Sequence, residues 1–383
     1  MPTLFGSIVI FILCVLLNLY TGFSLFSFGK LLLPSIKPLF FWPPYFLLSY
    51  GFILVILLGL EKIKILNLIV LYWVPFFVYF IGFALLFDLI SLFVYLSRGI
   101  KILMPAGVGI AVMLSCIIVI FGTIHARNIT STHYELYFPQ KTGVENFRIV
   151  LVSDMHIGTI IEKKWTSRIV DRINDASPDM VIFAGDIFDS GIEGVKDREG
   201  IRAEFARIQA RLGVFACLGN HDTDRRIQSI DLTARFLRES GINVLSDQFI
   251  PLNLSNESIV YLIGRRDAHP IGAPGGRLSI EELIAPIPSP AMLILLDHQP
   301  MELPQAAEAG IDLVLSGHTH HGQFFPGNIF TWRIFKSYGA THYGHWQKDN
   351  TQAIITSGAG VWGAPVRIGS NSEIAVIDLR FGE

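Results

Sequence analysis

The first 122 residues contain very few charged side chains. Only eight of the chain's 30 Lys and Arg and 32 Asp and Glu residues fall in this segment. Such an apolar segment is costly to expose to water, because transfer of apolar surface out of water is favourable. The rest of the chain carries an ordinary density of charge. The sequence therefore predicts three parts: a membrane region over residues 1–122, a linker over 123–145 and a soluble domain over 146–383.

Four apolar runs in the first part are long enough to cross a bilayer, which takes roughly 20 helical residues. They cover residues 4–26, 42–60, 66–96 and 103–122. Pro43 and Pro44 open the second run, so its helix is expected to begin near Tyr45. Asp88, inside the third run, is expected to bond to a neighbouring helix or to lie near a helix end. The sequence thus predicts a multi-pass membrane protein with a bundle of about four helices.

The loops between these runs suggest an orientation, because Lys and Arg are enriched in cytoplasmic loops. The first and third predicted loops carry Lys30, Lys37, Arg98 and Lys101, whereas the second loop carries Lys62 and Lys64. Four spans with the first and third loops inside place both ends of the chain outside the cytoplasm. We therefore expect an extracytoplasmic soluble domain, and a different number of spans would invert this orientation.

Five apolar runs in the soluble part are predicted strands, and each is followed by Asp, Asn or His. The runs cover residues 147–152, 179–184, 213–218, 291–296 and 311–316. The residues that follow them are Asp154, His156, Asp186, Asn220, His221, Asp222, His298, His318 and His320. In layered α/β folds, the carboxyl ends of the strands meet at a shared crevice. Five such endings, nearly all of metal-ligating type, favour a metal centre over unrelated capping residues.

The last of these endings contains His318 and His320 two positions apart. If the backbone stays extended, both imidazoles face one point, whereas Thr319 and His321 face away. Two neutral imidazoles can supply half of a metal site. The three cysteines lie far apart in apolar runs and are expected to be packing residues, so the sequence offers no thiolate ligand.

Together these blocks resemble the signature of the calcineurin-like metallophosphoesterases. In chain order the matching residues are Asp154-x-His156, Gly185-Asp186, Gly219-Asn220-His221-Asp222, His298 and Gly317-His318-x-His320. Residues 358–369 and the multi-span N-terminal region resemble the membrane-anchored bacterial branch of that superfamily. His321 departs from the branch, which usually has Gly there, and is expected to point away from the metals. The resemblance implies an α/β fold, a four-layered αββα sandwich, after the transmembrane bundle.

The resemblance also implies two metal ions held by seven side chains. The first ion would be held by Asp154, His156, Asp186 and His320. The second would be held by Asp186, Asn220, His298 and His318, so that Asp186 bridges the two. Nitrogen and oxygen ligands suit divalent or trivalent Mn, Fe, Zn or Co, and disfavour Mg or Ca as tight occupants.

Three further residues receive roles from the same resemblance. A water between the ions would become hydroxide near neutral pH and attack phosphorus. His221 would hydrogen-bond the phosphate or protonate the leaving oxygen, and Asp222 would orient His221. Arg367, in the branch motif, would neutralise substrate phosphate.

The sequence thus predicts a membrane-anchored phosphoesterase that hydrolyses phosphate ester or pyrophosphate bonds of a lipid-linked or envelope substrate. Its expected partners are this phosphorylated substrate and the lipid bilayer. One alternative is a hydrolase similar to UDP-2,3-diacylglucosamine diphosphatase of lipid A synthesis, which requires a cytoplasmic domain. Another is a membrane metal-binding sensor without catalysis. Acidic residues outnumber basic ones beyond residue 122, which argues against a nucleic-acid partner.

Overall fold

The computed structural model describes residues 4–60, 63–100, 104–139, 144–223, 230–255, 258–268 and 276–382. Lys62 and Lys101, which enter the orientation argument, and residues 140–143 of the predicted linker lie outside the described residues. The chain divides into two compact units. The first comprises residues 1–124 and 363–366, and the second comprises residues 125–362 and 367–383.

Helices form the first unit: α1 (Leu4–Leu32), α2 (Pro38–Ser49), α3 (Gly51–Leu57), α4 (Lys64–Arg98) and α5 (Met104–Ala126). Within the described part of the chain, three helices are long and apolar enough to cross a membrane, and they are α1, α4 and α5. The expectation of about four such helices is therefore corrected to three. The second predicted span is instead broken at Tyr50 into two short helices, α2 and α3.

The beginning of this second span also differs from the sequence-based expectation. Helix α2 starts at Pro38, not near Tyr45, and Pro43 and Pro44 lie inside it. Pro38 is tolerated because the first helical turn needs no intrahelical donor. The two inner prolines lack the N–H groups that would pair with carbonyls one turn earlier, which weakens α2. Pro43 and Pro44 therefore interrupt α2 and do not begin it.

Small residues and one polar bond join the helices of the first unit. Ala84 of α4 and Ala111 of α5 are buried in one apolar cluster, where their size allows the backbones to approach closely. The Tyr20 hydroxyl of α1 donates to Asp88 Oδ2 of α4 at 2.7 Å. The expectation that Asp88 bonds to a neighbouring helix is confirmed, and this bond satisfies a carboxyl group among apolar helices.

Two six-stranded sheets form the centre of the second unit. The first has the order β1-β12-β2-β3-β4-β5. Its strands are β1 (Ile129–Phe138), β2 (Asn146–Val152), β3 (Met180–Ala184), β4 (Val214–Cys217), β5 (Ile242–Val244) and β12 (Ser372–Phe381). The second has the order β10-β11-β9-β8-β7-β6. Its strands are β6 (Gln248–Ser255), β7 (Ser258–Gly264), β8 (Met292–Leu296), β9 (Leu313–Ser316), β10 (Gly344–Lys348) and β11 (Thr351–Ile355).

Helices connect and cover these sheets. They are α6 (Lys163–Asp175), α7 (Arg198–Phe205), α8 (Asp231–Glu239), α9 (Ile280–Ile284), α10 (Leu303–Glu308) and α11 (Gly327–Ser337). Side chains alternate along each strand, so one strand serves two cores. In β2, Ile149 and Leu151 pack between the two sheets, whereas Val150 and Val152 pack with residues of α6, α7 and α8. A third core lies between the second sheet and α9 and α10. The predicted four-layered αββα sandwich is confirmed.

The predicted linker is not a simple connection. Its residues Ile129–Phe138 form β1, which pairs in parallel with β12 over ten residues. Leu136 and Phe138 are buried in the core between the sheets, and Tyr134 packs against it. These residues occur at every second position, which is the strand period. This alternation predicts a strand, but the polar residues between the apolar ones give the segment the composition of a linker.

Strand direction determines where the functional residues meet. Strands β2, β3 and β4 are parallel neighbours in the first sheet, and β8 and β9 are parallel neighbours in the second. In each sheet, these parallel neighbours end at the same edge. The five predicted strands are confirmed, and their carboxyl ends carry the polar residues described next.

Candidate metal centre

Two clusters of potential metal ligands lie at these strand ends. One contains Asp154, His156 and His320, and the other contains Asp186, His298 and His318. Within each cluster, one ligand atom from every residue lies within 4.8 Å of the others. All six side chains are buried except that of His318, which is partly buried. The structure thus brings these six predicted site residues together in the grouping that the resemblance implied.

In the first cluster, the Nε2 atoms of His156 and His320 face each other at 3.0 Å. His320 Nε2 also lies 3.4 Å from Asp154 Oδ1. Two imidazole nitrogens this close cannot both carry a proton, and both lone pairs can be satisfied by a shared cation. The other nitrogen of His156, Nδ1, lies 3.4 Å from Asp189 Oδ1. A carboxylate at that position favours the tautomer in which Nε2 is free to bind a metal.

In the second cluster, His298 is oriented by the backbone. Its Nδ1 lies 2.8 Å from the carbonyl oxygen of Ala184, to which it donates. This bond directs His298 Nε2 toward Asp186 Oδ2 at 3.2 Å and toward His318 Nδ1 at 3.3 Å. The same Asp186 Oδ2 lies 3.8 Å from His156 Nε2 of the first cluster. Asp186 therefore stands between the two clusters, with one carboxylate oxygen near a histidine of each.

The backbone of this centre is strained. Asp154, His156, Asp186, His318 and His320 have φ angles of 53°, 48°, 51°, 72° and 49°. This left-handed region is unfavourable for residues with a side chain and often marks functional sites. The extended backbone assumed for His318 and His320 is therefore wrong. These histidines enter different clusters because of the turn that contains them, not because of strand alternation.

Burial and neighbouring charges shift the pKa values of these groups. Burial, aided by His298, lowers the pKa of His318 to about 3. Burial also holds the pKa of His320 well below its usual value. Both imidazoles are therefore neutral near pH 7 and keep a lone pair for a cation. Burial raises the pKa of Asp186, but the histidines around it, His298 and His156, outweigh burial and hold the pKa below its usual value.

One orphaned atom, in the residue before the His221 N–H that bonds to Asp186, supports the fit of a metal here. Asn220 Oδ1 is buried and has no hydrogen-bond partner among the described residues. Burying an amide oxygen without a partner is costly. At His298, burial lowers the pKa, but Asp186 outweighs burial and raises the pKa well above its usual value. A positive charge is thus favoured beside Asp186, and a divalent cation would satisfy both requirements.

Asp222 does not occupy the position that the sequence predicted for it. Its fully buried carboxyl group accepts hydrogen bonds from the backbone N–H groups of Phe188 and Gly219, both at 2.8 Å. Burial, together with the nearby charge of Asp186, raises the pKa of Asp222 to about 7. Asp222 therefore joins the loops that follow β3 and β4. The interpretation of Asp222 as the residue that orients His221 is wrong, because the side chains of adjacent residues point in different directions here.

His221 is oriented by backbone groups instead. Its Nδ1 lies 3.0 Å from the carbonyl oxygen of Asp189, and its backbone N–H donates to Asp186 Oδ1 at 2.8 Å. The ring lies 5.0 Å from that of His156 and 6.1 Å from that of Trp362, measured between centroids. His221, His156 and Asp189 form a third group of close ligand atoms. The structure thus places His221 beside the first cluster, with its Nε2 atom directed away from the Asp189 carbonyl.

Arg367 is fully buried and does not contact the exterior. Its guanidinium donates to the carbonyl oxygens of His320, Ser357, Gly358 and Gly360 and to Ser370 Oγ. Burial lowers the pKa of Arg367 to about 10, so the group stays charged at neutral pH. The interpretation of Arg367 as a substrate contact is wrong, because five acceptors around a buried side chain leave it no route to a substrate. It holds the His320 loop against residues 357–360.

Two residues near the centre were missed by the sequence reasoning. Asp189 accompanies His156 and His221, as described above. Ser153 Oγ lies 2.5 Å from Asp154 Oδ2 and 3.0 Å from the carbonyl oxygen of Ala184, and its one hydroxyl proton can be donated to either acceptor. The only sequence signal for either residue was its distance of one to three positions from a predicted ligand. His321, in contrast, stacks on Tyr343 with a centroid distance of 4.2 Å, outside the two clusters, as expected.

Comparisons with known proteins agree with this architecture. Residues 147–322 match the family model for the calcineurin-like phosphoesterases. The chain contains a calcineurin-like metallophosphoesterase domain. All seven predicted metal ligands of this domain fall inside the matched segment. Family members typically bind divalent metals, and the two clusters give the phosphoesterase domain candidate ligands for them.

Several relatives of the phosphoesterase domain occur in other organisms. An uncharacterized metallophosphoesterase of Helicobacter pylori is 33% identical over 236 residues, which cover 61% of this chain and 60% of that protein. A transmembrane protein with metallophosphoesterase domain from Danio rerio is 28% identical over 282 residues, which cover 71% of this chain and 62% of that protein. The chain thus spans about three fifths of the length of these relatives.

Solved structures are more distant. The crystal structure of a 5'-nucleotidase precursor from Thermus thermophilus is similar at 15% identity, with a TM-score of 0.35. The similarity covers 61% of this chain and 54% of that chain.

Proposed function

We propose that this protein is a membrane-anchored, metal-dependent phosphoesterase that hydrolyses phosphate ester or pyrophosphate bonds. The observation that carries the proposal is the meeting of two Asp/His clusters at Asp186. Such paired sites, with a carboxylate between them, are typical of enzymes that use two metal ions to transfer phosphoryl groups.

Two groups of side chains would hold the ions. One consists of Asp154, His156 and His320, and the other of Asn220, His298 and His318, with Asp186 shared. When bound, two such ions act as Lewis acids that lower the pKa of a water molecule and neutralise charge on phosphate oxygens. Nitrogen and oxygen ligands without a thiolate suit Mn, Fe, Zn or Co.

His221 would act on the substrate itself. Its Nδ1–H group donates to the Asp189 carbonyl, so Nε2 is the atom left to face a bound phosphate. Burial lowers the pKa of His221, so Nε2 would carry a proton only when the negative charge of a bound phosphate favours the imidazolium. In that form Nε2 would hydrogen-bond a phosphate oxygen or pass its proton to the leaving oxygen. Trp362, whose side chain is exposed, lies beside His221 and would form part of the entrance to the site.

The membrane helices favour a substrate that is lipid-linked or part of the cell envelope. Helices α1, α4 and α5 are long and apolar enough to cross a membrane and would keep the domain close to it. Neither α2 nor α3 alone has the roughly 20 residues that a crossing takes, so the apolar interval from Pro38 to Leu57 would cross the bilayer only as a broken pair of helices. With this fourth, broken crossing, the distribution of Lys and Arg favours an extracytoplasmic domain.

The proposal is tested by assaying the detergent-solubilised full chain with Mn²⁺. The substrates are an aryl phosphodiester, a phospholipid, a lipid-linked pyrophosphate and a UDP-linked acyl sugar. We expect hydrolysis of the aryl ester and of a lipid-linked substrate, and a loss of more than about 100-fold in Asp186→Asn. Asp378→Asn, which removes a partly exposed carboxylate that pairs with Arg148, should leave the rate unchanged.

Other outcomes would contradict parts of the proposal. Hydrolysis of the UDP-linked sugar alone would favour the lipid A alternative and a cytoplasmic domain. If the protein binds metal but hydrolyses none of these substrates, the sensor alternative replaces the phosphoesterase.

A further inference from the structure

Helix α11 and the residues beside it carry an unusual concentration of exposed apolar side chains. Within the described part of the second unit, ten large apolar side chains are exposed. Six of these ten lie in a single segment of residues 325–338, and they are Phe325, Ile329, Phe330, Trp332, Ile334 and Tyr338. Monomeric soluble domains rarely expose apolar side chains in such a group, and larger groups mark interaction sites. We call these six residues the α11 patch.

The opposite side of α11 is attached to the metal centre. Phe335 is the buried residue of this helix, and its ring lies 6.4 Å from that of His318 between centroids. Thr331 Oγ1 lies 2.7 Å from His342 Nδ1, and the His342 carbonyl accepts from Thr319 Oγ1. At 3.6 residues per turn, Phe335 and Thr331 lie on one face of α11, and the four patch residues within the helix, Ile329, Phe330, Trp332 and Ile334, lie on the rest of its surface. The patch is therefore held rigidly next to the His318 loop.

The two charged residues of α11 are both basic. Arg333 and Lys336 are exposed on the same helix, and Lys336 Nζ lies 4.7 Å from the centre of the Trp332 ring. The sequence contains no Asp or Glu between positions 313 and 348, although acidic residues outnumber basic ones beyond residue 122. An exposed helix that combines Trp, Phe and Ile with basic residues has the composition of helices that lie in a membrane interface. Anionic lipid headgroups complement such a surface.

We propose that the α11 patch inserts into the headgroup region of an anionic bilayer. The aromatic and aliphatic side chains would enter the boundary between headgroups and acyl chains, and Arg333 and Lys336 would contact lipid phosphates. The apolar helices of this chain keep a bilayer within reach of the domain, whereas a soluble partner would have to be recruited. Because α11 is held against the His318 loop, the metal centre would open at the level of the headgroups. This placement goes beyond the hydrolase function and does not depend on it.

The test measures the depth of α11 in the membrane with a spin label. The full chain, with Cys14→Ala and Cys116→Ala, is reconstituted in lipid nanodiscs that contain phosphatidylglycerol. Cys217 is retained because its thiol is fully buried. A label is attached at Phe330→Cys, and a second variant, Ile334→Cys, serves if the first does not fold. Glu199→Cys on α7, an exposed position distant in sequence, is the matched control. Gel filtration verifies that each variant is folded.

The two relaxation reagents, oxygen and an aqueous nickel chelate, distinguish the possible surroundings of the label. We expect the label on α11 to be accessible to oxygen and protected from nickel, and the label on α7 to show the reverse. Equal nickel accessibility at both positions would overturn the proposal. Protection of α11 from both reagents would also overturn it, because a second copy or another protein surface would then cover the patch. Absence of hydrolase activity in the same samples would not affect this result.

Discussion

Arg367 connects two loops that meet at the metal centre. Its guanidinium donates to the carbonyl of His320 and to the carbonyls of residues 357–360. Because all these groups are buried, each carbonyl left without a donor would cost free energy. The planar fork of Arg serves several acceptors at once, and the single ammonium group of Lys cannot reproduce it. Arg367 is therefore a positioning residue for His320.

We expect Arg367→Lys to weaken metal binding at the His320 cluster by about 10- to 100-fold, as substitution of residues behind a ligand typically does. The measurement is metal content after dialysis, with circular dichroism to verify the fold. Arg148→Lys is the control, since Arg148 is half-exposed and forms an ion pair with Asp378. Full metal retention in Arg367→Lys would show that this arginine does not position His320.

His221 is expected to affect turnover without affecting metal binding. Its side chain is fixed by the Asp189 carbonyl and does not belong to either of the two main clusters. We expect His221→Ala to lower kcat by roughly 100- to 10,000-fold, the usual contribution of a general acid or base. The effect should be greater on substrates with poor leaving groups. Loss of bound metal in this variant would assign His221 to the ligands and contradict its proposed role.

At the residue scale, the sequence predicted which residues form the candidate site, but it did not predict their backbone conformation or their contacts. Six of the seven predicted ligands gather in two clusters because the parallel strands of each sheet end at a common edge, which the order of apolar runs predicted. The positive φ angles of Asp154 and His320, the role of Asp222 as a loop support and the burial of Arg367 were not predictable. Each depends on contacts between residues far apart in the chain, which spacing alone does not reveal.

Among the elements, the tight turns after the strands allow the ligands to approach each other. Gly185, between β3 and Asp186, has a φ of 80°, and a Cβ atom there would lie 2.6 Å from His298 Nδ1. Gly310 has the same φ of 80° but no atom within 4 Å of such a Cβ. Alanine substitutions at these two glycines therefore distinguish the effect of backbone strain from the effect of a collision with His298.

We expect Gly310→Ala to lower the Tm by about 2–4 °C, which corresponds to roughly 1 kcal/mol of backbone strain in a domain of this size. Gly185→Ala should lower the Tm further and also reduce metal content, because His298 must move. Thermal unfolding in detergent and metal analysis measure the two effects. Equal Tm losses with unchanged metal content in both variants would contradict the role given to the Gly185 turn.

The elements that the sequence did not predict have polar or interrupted patterns. The five strands that precede the candidate ligands are continuous apolar runs, which the sequence predicts, whereas β1 alternates and has the composition of a linker. The second membrane run was predicted as one helix, but the prolines inside α2 and the break at Tyr50 leave two short helices. Local composition cannot distinguish a proline that starts a helix from one inside it.

For the whole molecule, we predict that the phosphoesterase domain lies on the extracytoplasmic side of the membrane. We expect alkaline phosphatase fused after the last residue to be active in cells and green fluorescent protein at the same position to be dark. A fusion at Ser35, in the first predicted loop, should give the opposite result. A fluorescent C-terminal fusion would place the domain in the cytoplasm and would mean that α2 and α3 do not form a crossing.

The central claim is that one carboxylate, Asp186, joins two separate metal sites. It is tested most directly by the metal stoichiometry of purified protein, measured by mass spectrometry for the wild type, His318→Ala and His320→Ala. We predict about two ions per chain in the wild type and about one in each variant, because the two histidines belong to different clusters. A single ion in the wild type that is lost in both variants would contradict the account.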